Sequence, residues 1–337
     1  MVFASIQSSP GFASLQTEFS SLLSSDGIFD LRGRSRISLS GNDRVRWLNG
    51  MITNKIRDLT AGQGVYAFVL NPQGHILGDL YAYNRGESLL IDTDQTQKEK
   101  LLGVFRKYII MDKVEITDLD ERLTAIGVAG PKSREVLTRC GFEFSQLGPL
   151  QFVDVTWRDL SLTILRTDNP ALESYEIWLV PEHHSAVWRG LTDSGGTPIG
   201  AETLELLRIA SGIPRYGQDI RERDLPQETE QLRALNFIKG CYIGQEIVER
   251  IRSRGNVHRK FTGFEVQGPL PTTGTKIQND GKDVGEVTSA ASLPLVSGTR
   301  QVALGYIRRE SVNERLLAGD TQLTATEVPF SGVFQES

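Results

Sequence analysis

Lys239-Gly240-Cys241-Tyr242-Ile243-Gly244-Gln245-Glu246, running on through Arg250 to Arg254-Gly255, sets one of the chain's two cysteines between two glycines and beside a lysine. Ile243, Ile247, Val248 and Ile251 follow at the spacing of one apolar helix face. That places Cys241 at or just before a helix N-terminus, where unpaired N–H groups and the macrodipole favour an anion. Lys239 acts in the same direction, so the thiolate is more accessible than in a free cysteine. Gly240 and Gly244 permit close backbone approach to a ligand or partner. The same residues also fit a tight turn ahead of a core helix, with a small buried thiol. Both readings stand at this point.

Around this stretch the chain has 337 residues, 39% of them hydrophobic, enough for a substantial core and two or three domains. Charges or glycines interrupt every apolar run, so no membrane span is expected. The segment to Leu31 has no Lys or Arg but carries Glu18 and Asp26, unlike a signal or transit peptide, and a cytoplasmic protein is expected. Cys140 and Cys241 make no disulfide framework. Cys140 follows an expected helix, Pro131 to Arg139, and reads as structural. A net charge of −5 argues against direct nucleic-acid binding. Basic residues do gather at Arg250, Arg252, Arg254, His258, Arg259 and Lys260, either as a solvated helix face or as a site for an anionic ligand tail or acidic partner.

Strand patterns fall at Arg36–Ser40, Val65–Leu70, Ile76–Tyr83, Leu89–Asp92, Val114–Ile116 and Thr124–Val128, with a sheet-rich stretch over Val153–Val180. Helices are expected after Asn42 or Asp43, around Leu101–Ile109, near His184–Thr192 and over Ala201–Ser211. Beyond Gly255 short apolar strands recur between turns such as Asn279-Asp280-Gly281-Lys282, a hairpin signal. This gives an α+β class, with residues 1–255 forming one or two α+β domains and 256–337 a small β-barrel. The histidines His75, His183, His184 and His258 lack metal-ligand spacing, so no metal site is expected. Four-cysteine ligation of an iron–sulfur cluster is impossible within one chain.

The octapeptide resembles the signature of the YgfZ group of folate-binding proteins, relatives of the glycine-cleavage T-protein, an aminomethyltransferase of the GcvT superfamily. Gly41–Gly50, Leu70–Leu77, Leu207–Pro214, Gly285–Ser289 and Ala303–Ile307 agree in the same order along nearly the whole chain. The resemblance implies a three-domain cloverleaf around a central folate pocket, ending in the barrel, with residues 1–255 as two interleaved subdomains and tetrahydrofolate or a one-carbon derivative as cofactor. It implies Cys241, Lys239 and Asp79 as reactive residues, with Lys239 tuning the thiol. It implies Gly240, Tyr242, Gly244, Gln245, Glu246, Arg250 and Arg254 as the motif loop, with Gln245 and Glu246 anchoring it or capping the helix.

For the pterin head, with its adjacent N–H donors, a buried carboxylate is required. T-proteins place it in Gly-Glu-x-Gly-Phe-Glu-Ile. Here Ala171-Leu172-Glu173-Ser174-Tyr175-Glu176-Ile177 keeps Tyr175-Glu176-Ile177, which makes Glu176 the candidate. Asn49, Met51, Arg208 and Tyr216 are further pocket candidates by resemblance, Arg208 for the anionic tail. T-proteins also carry two adjacent aspartates where this chain has Gly78-Asp79, so one carboxylate of the pair is missing. The expected function is a tetrahydrofolate-binding accessory protein for iron–sulfur cluster assembly or repair, with iron–sulfur client or assembly proteins as partners. A folate-dependent one-carbon transferase is the alternative, and a factor affecting tRNA modification is a third reading.

Overall fold

The computed structural model describes residues 13–255, 257–312 and 314–335. In chain order the first elements are α1 (Leu15–Ser24), β1 (Gly27–Asp30), β2 (Arg34–Ser40), α2 (Arg44–Met51), β3 (Gln63–Leu70), β4 (Ile76–Asn84) and β5 (Leu89–Asp94). Next come α3 (Lys98–Tyr108), β6 (Glu115–Asp118), β7 (Thr124–Ala129), α4 (Ser133–Arg139), β8 (Phe152–Trp157), β9 (Leu160–Arg166) and β10 (Ser174–Leu179). Helices α5 (His184–Asp193), α6 (Ala201–Ala210) and α7 (Gln245–Arg254) lead into strands β11 (Arg259–Gln267), β12 (Lys276–Asn279), β13 (Lys282–Leu295), β14 (Gly298–Arg308), β15 (Leu316–Ala318) and β16 (Thr321–Thr326).

These strands form three antiparallel units. One sheet has the order β3-β4-β5-β2-β6, a second β1-β7-β10-β9-β8, and β11-β14-β13-β12-β15-β16 close into a barrel. The α+β expectation and the terminal barrel are what the structure shows. At the Asn279–Lys282 turn, Asp280 and Gly281 take φ of 45° and 75°, the paired positive values of a type I′ hairpin.

Alternation along β3 and β4 gives their sheet two different faces. Ala67, Val69, Leu80 and Ala82 meet Trp47, Leu48 and Met51 of α2 and Leu101, Leu102 and Phe105 of α3. On the opposite face, Tyr66, Phe68 and Leu70 pack against Ala234, Leu235, Tyr242 and Val248. Farther along that face Tyr83 abuts Trp178 of the second sheet, with ring centroids 5.0 Å apart. The sheet is therefore covered on both sides, and the region around Cys241 forms part of its second cover.

Helix α1 and strand β1 lay outside the sequence expectation. The Ser14 hydroxyl accepts the Thr17 N–H at 3.2 Å and caps α1, while Phe19, Leu22 and Leu23 make an apolar stripe within a serine-rich segment. That stripe joins Leu206, Leu207 and Ile209 of α6 to Leu293, Leu304 and Tyr306 of the barrel. Replacing the fully buried Leu22 by alanine is expected to cost about 2–5 kcal/mol, seen as a lower urea midpoint with an unchanged slope.

Candidate functional site

A cavity of about 350 Å³ opens where the first sheet meets the start of the second and the segment after α6. Its walls include Arg34, Tyr66, Asp79, Tyr81 and Gln97 from one side, and Leu204, Arg208, Pro214, Arg215, Tyr216 and Arg233 from the other. The size and mixed polarity suit a small organic ligand.

Asp79 is the fixed acceptor on this wall. Its position opposite Phe68 in the β3–β4 register puts it on the aromatic face of the sheet. The Tyr66 hydroxyl donates to Oδ2 at 2.6 Å, and Gln97 Nε2 donates to Oδ1 at 2.7 Å. Burial, then the Asp79 charge, pushes the Tyr66 phenol well above its ordinary pKa, so Tyr66 remains a donor. The Gly78 side faces the other way: a Cβ there would lie 2.9 Å from both Gln97 Oε1 and Leu101 Cδ2. A side chain at position 78 would thus press on α3, and the missing second carboxylate has no room on the cavity wall.

Arg233 closes the same wall. Its guanidinium lies 4.4 Å over the Tyr66 ring and pairs with Asp168, which also accepts the Tyr81 hydroxyl at 3.1 Å. Tyr66 and Tyr81 rings are 4.9 Å apart. Neither Tyr66, Tyr81, Arg34, Gln97 nor Arg233 was picked out from the sequence. The readable signal was the run of aromatic and acidic residues on one face of two adjacent strands, Tyr66 and Phe68 beside Asp79, Tyr81 and Tyr83, where a single-sided sheet would present ordinary polar residues to water.

Of the residues expected in the pocket, Asp79, Arg208 and Tyr216 line it and the others do not. Glu176 sits beneath the wall. Trp178 Nε1 donates to its Oε2 at 2.7 Å, and Arg36 Nη2 lies 3.8 Å away. Burial and the neighbouring Asp92 charge raise its pKa, against the opposing pull of Arg36 and Arg34. Arg208 has five N–H donors, and five bonds use them: Nε and Nη2 to Glu205, Nη1 to Asp219 and the Ile213 carbonyl, Nη2 also to Ser289. Its expected place as anchor of an anionic tail gives way to a structural one, tying α6 to the barrel. Tyr216 accepts from Lys100 Nζ at 2.7 Å. Met51 belongs to the core beneath α2, and Asn49, also buried, accepts the Ile56 N–H through Oδ1 at 3.3 Å.

The Lys239–Glu246 loop is built around a buried ammonium. Lys239 Nζ donates to the carbonyls of Asn49, Ile52 and Asn54 at 2.6, 2.5 and 2.7 Å. These oxygens stand at the C-terminal end of α2, where a cation completes unpaired carbonyls and meets the negative end of the dipole. Burial, with the Arg57 charge, pushes the Lys239 pKa down to about 7, while the three carbonyls favour the charged form. All three N–H bonds are committed, so Lys239 anchors the loop instead of tuning the thiol, and the expected tuning role is corrected.

Tyr242 follows into the apolar cover of the sheet, its ring 4.9 Å from Lys239 Nζ. Gly244 takes φ of 81°, and a Cβ there would stand 2.6 Å from the Asn71 carbonyl oxygen. The close approach read from the glycines is thus partly internal, to the β3–β4 turn. Gln245 Oε1 accepts the Tyr242 N–H at 3.3 Å. Cys241 is exposed, as are Gly240, Glu246 and Arg250, whereas Cys140 is buried and its thiol pushed up by burial. Cys241 does not line the cavity. The Arg254 side chain lies outside the described residues. Among the described residues no cluster of metal-ligating side chains is found.

Residues 3–239 match the GCVT N-terminal domain, and residues 258–330 match the C-terminal β-barrel domain of CAF17. An aminomethyltransferase of Rubrobacter xylanophilus is 28% identical over 89% of this chain and 81% of its own length. One from Bacillus subtilis is 26% identical over 89% and 84%. The glycine cleavage system aminomethyltransferase T of Bartonella henselae superposes with a TM-score of 0.82, covering 96% of this chain and 91% of that one at 20% identity, which shows a shared fold. The chain belongs to the GCVT family, with a barrel of the CAF17 type.

Lys239→Met keeps the stem and removes the three N–H donors. It is expected to cost about 3 kcal/mol through stranded carbonyls, read by chemical denaturation, and Lys239→Arg is expected to recover only part of it because a planar fork cannot reach three convergent oxygens equally.

Proposed function

We propose that the chain binds a reduced folate in the cavity and supports assembly or repair of iron–sulfur proteins through the Lys239–Glu246 loop. The observation that carries the folate part is Asp79, a carboxylate held on the cavity wall by Tyr66 and Gln97 within a GCVT-family fold. Tyr66, Tyr81 and Tyr216 supply flat walls for a ring system, and Asp79 supplies the acceptor for its N–H groups. The residues therefore fit the head of a reduced pterin. When bound, such a cofactor supplies a carrier for a one-carbon unit. The protein's part is to orient it: Gln97 and Tyr66 hold the Asp79 oxygens at set angles, and the Arg233–Asp168 pair covers the rings.

The iron–sulfur part rests on the resemblance of Lys239–Glu246 to the YgfZ signature and on Cys241 being a free, exposed thiol in a loop anchored at Lys239 and Tyr242. An exposed thiol on such a loop can meet a cluster, persulfide or oxidised group on a client protein. A one-carbon transferase is the second reading, favoured by Asp79 on the cavity wall and by the names of the relatives. The missing neighbour weighs against it, because Gly78 puts no carboxylate next to Asp79 to share the proton handling. An effect on tRNA modification would follow indirectly, through modification enzymes that carry clusters.

Calorimetric titration with tetrahydrofolate is expected to show saturable binding that Asp79→Ala weakens at least tenfold, about 1.4 kcal/mol for one lost charged hydrogen bond. A loss confined to Glu176→Ala would instead move the head-binding role to the Arg36–Glu176 group. In cells whose own copy is deleted, Cys241→Ala is expected to leave iron–sulfur enzyme activity low while the variant remains folded and binds folate. Folate-dependent product from an amine donor in the purified protein would favour the transferase.

A further inference from the structure

The cavity and Cys241 share no lining residue, yet one residue touches the supports of both, one with its side chain and the other with its main-chain carbonyl. Asn54 Nδ2 donates to the Tyr66 carbonyl at 2.9 Å and to the Arg233 carbonyl at 2.8 Å. Tyr66 and Arg233 are cavity-wall residues that stack on each other. The Asn54 carbonyl accepts Lys239 Nζ, two residues before Cys241. Its neighbour Thr53 repeats the pattern: Oγ1 donates to the Ala234 carbonyl at 2.6 Å and accepts the Phe68 N–H at 2.9 Å, while its carbonyl takes the Asn236 N–H at 3.1 Å. Residues 233–243 are thereby sewn to the turn after α2 at Arg233, Ala234, Asn236, Lys239 and Ile243, the last through the Gly50 carbonyl. The segment has one end in the cavity wall and the other at the thiol.

We propose that Asn54 is a positioning residue that couples occupancy of the cavity to the reactivity of Cys241. This rests on the folate reading above. A ring bound against Tyr66 and Arg233 fixes both residues. Through Asn54 it fixes the carbonyl that Lys239 holds, and the Cys241 loop loses motion. Without the Asn54 amide the cavity keeps its lining, because Asn54 is not part of it, and Lys239 keeps the carbonyl of residue 54, but Tyr66 and Arg233 lose their bonds to that residue. The coupling needs no large rearrangement, since a ligand that stiffens a connected segment changes the accessibility of a group at its far end.

The test measures alkylation of Cys241 by iodoacetamide in a Cys140→Ser background, so that one thiol reports, with 5-formyltetrahydrofolate as the probe and its binding followed by calorimetry. Saturation is expected to slow alkylation at least threefold in the otherwise native chain. Asn54→Ala is expected to bind the folate within threefold of the native affinity and to alkylate at one rate with or without it. Lys239→Met, which cuts the same relay one step later, is expected to abolish the response likewise. Binding with an unchanged alkylation rate in the native chain, or an undiminished response in folded Asn54→Ala, overturns the coupling and leaves the folate reading intact. No binding by the native chain removes the folate reading, and the coupling with it.

Discussion

The ammonium of Lys239, held against the Asn49, Ile52 and Asn54 carbonyls, is the constraint on which the rest of this structure turns. A buried cation is costly unless its partners are complete. Here the partners are peptide oxygens left over where α2 stops, so the cost of burying the charge and the cost of ending a helix in the interior offset each other. The bond set also decides topology. It brings a segment almost 190 residues later in the chain onto the end of α2, and from there Tyr242 and Val248 complete the apolar cover over Tyr66, Phe68 and Leu70. With that cover absent, the aromatic face of the first sheet would meet water and the cavity would lose the wall that Arg233 provides.

The same economy explains the arginines around the cavity. Arg34 is paired with Asp92, Arg208 with Glu205 and Asp219, Arg233 with Asp168. For each, burial disfavours the charge, and the adjoining acid outweighs it, holding the guanidinium protonated. These residues act as charged braces between chain segments. Arg208 braces α6 against the barrel through Ser289, and Arg233 ties the segment after α6 to the loop after β9 through Asp168. The carboxylate of Asp79 differs from the acids that pair with these arginines. Its two oxygens meet neutral donors, Tyr66 and Gln97, so the negative charge is oriented without being cancelled by a cation.

Much of the fold was legible because its strands and helices carry clean periods. Ala67, Val69, Leu80 and Ala82 alternate toward α2 and α3, and Asn279-Asp280-Gly281-Lys282 makes the hairpin that its glycine requires. Helix α1 was hidden because its stripe of Phe19, Leu22 and Leu23 is diluted by serines whose tendency is to cap or turn. The site was less legible than the fold for a reason of distance. Asp79 and Tyr216 could be named from local pattern and resemblance, but Tyr66, Tyr81, Arg233 and Asp168 meet only after three segments fold together. Lys239 shows the limit of local reasoning most clearly. Its proximity in sequence to Cys241 suggested a charge acting on sulfur, whereas its four-carbon stem carries the charge inward to oxygens that no reading of neighbours would supply.

The departure at Gly78 follows from the same packing. Along a strand, adjacent residues point to opposite faces, so Gly78 and Asp79 were never equivalent places for a carboxylate. Asp79 faces the aromatic side and the cavity; position 78 faces α3, where Leu101 and Gln97 already fill the space. Gln97 gains from that closeness, since the absence of a side chain at 78 lets it reach both the N–H and the carboxylate of Asp79, at 2.9 and 2.7 Å. What a second acid would contribute to proton transfer is thus exchanged for a firmer hold on the first. A carboxylate with both oxygens already accepting hydrogen bonds is a better-defined acceptor. Within a fold shared with an aminomethyltransferase, this packing is what sets position 79 apart from position 78.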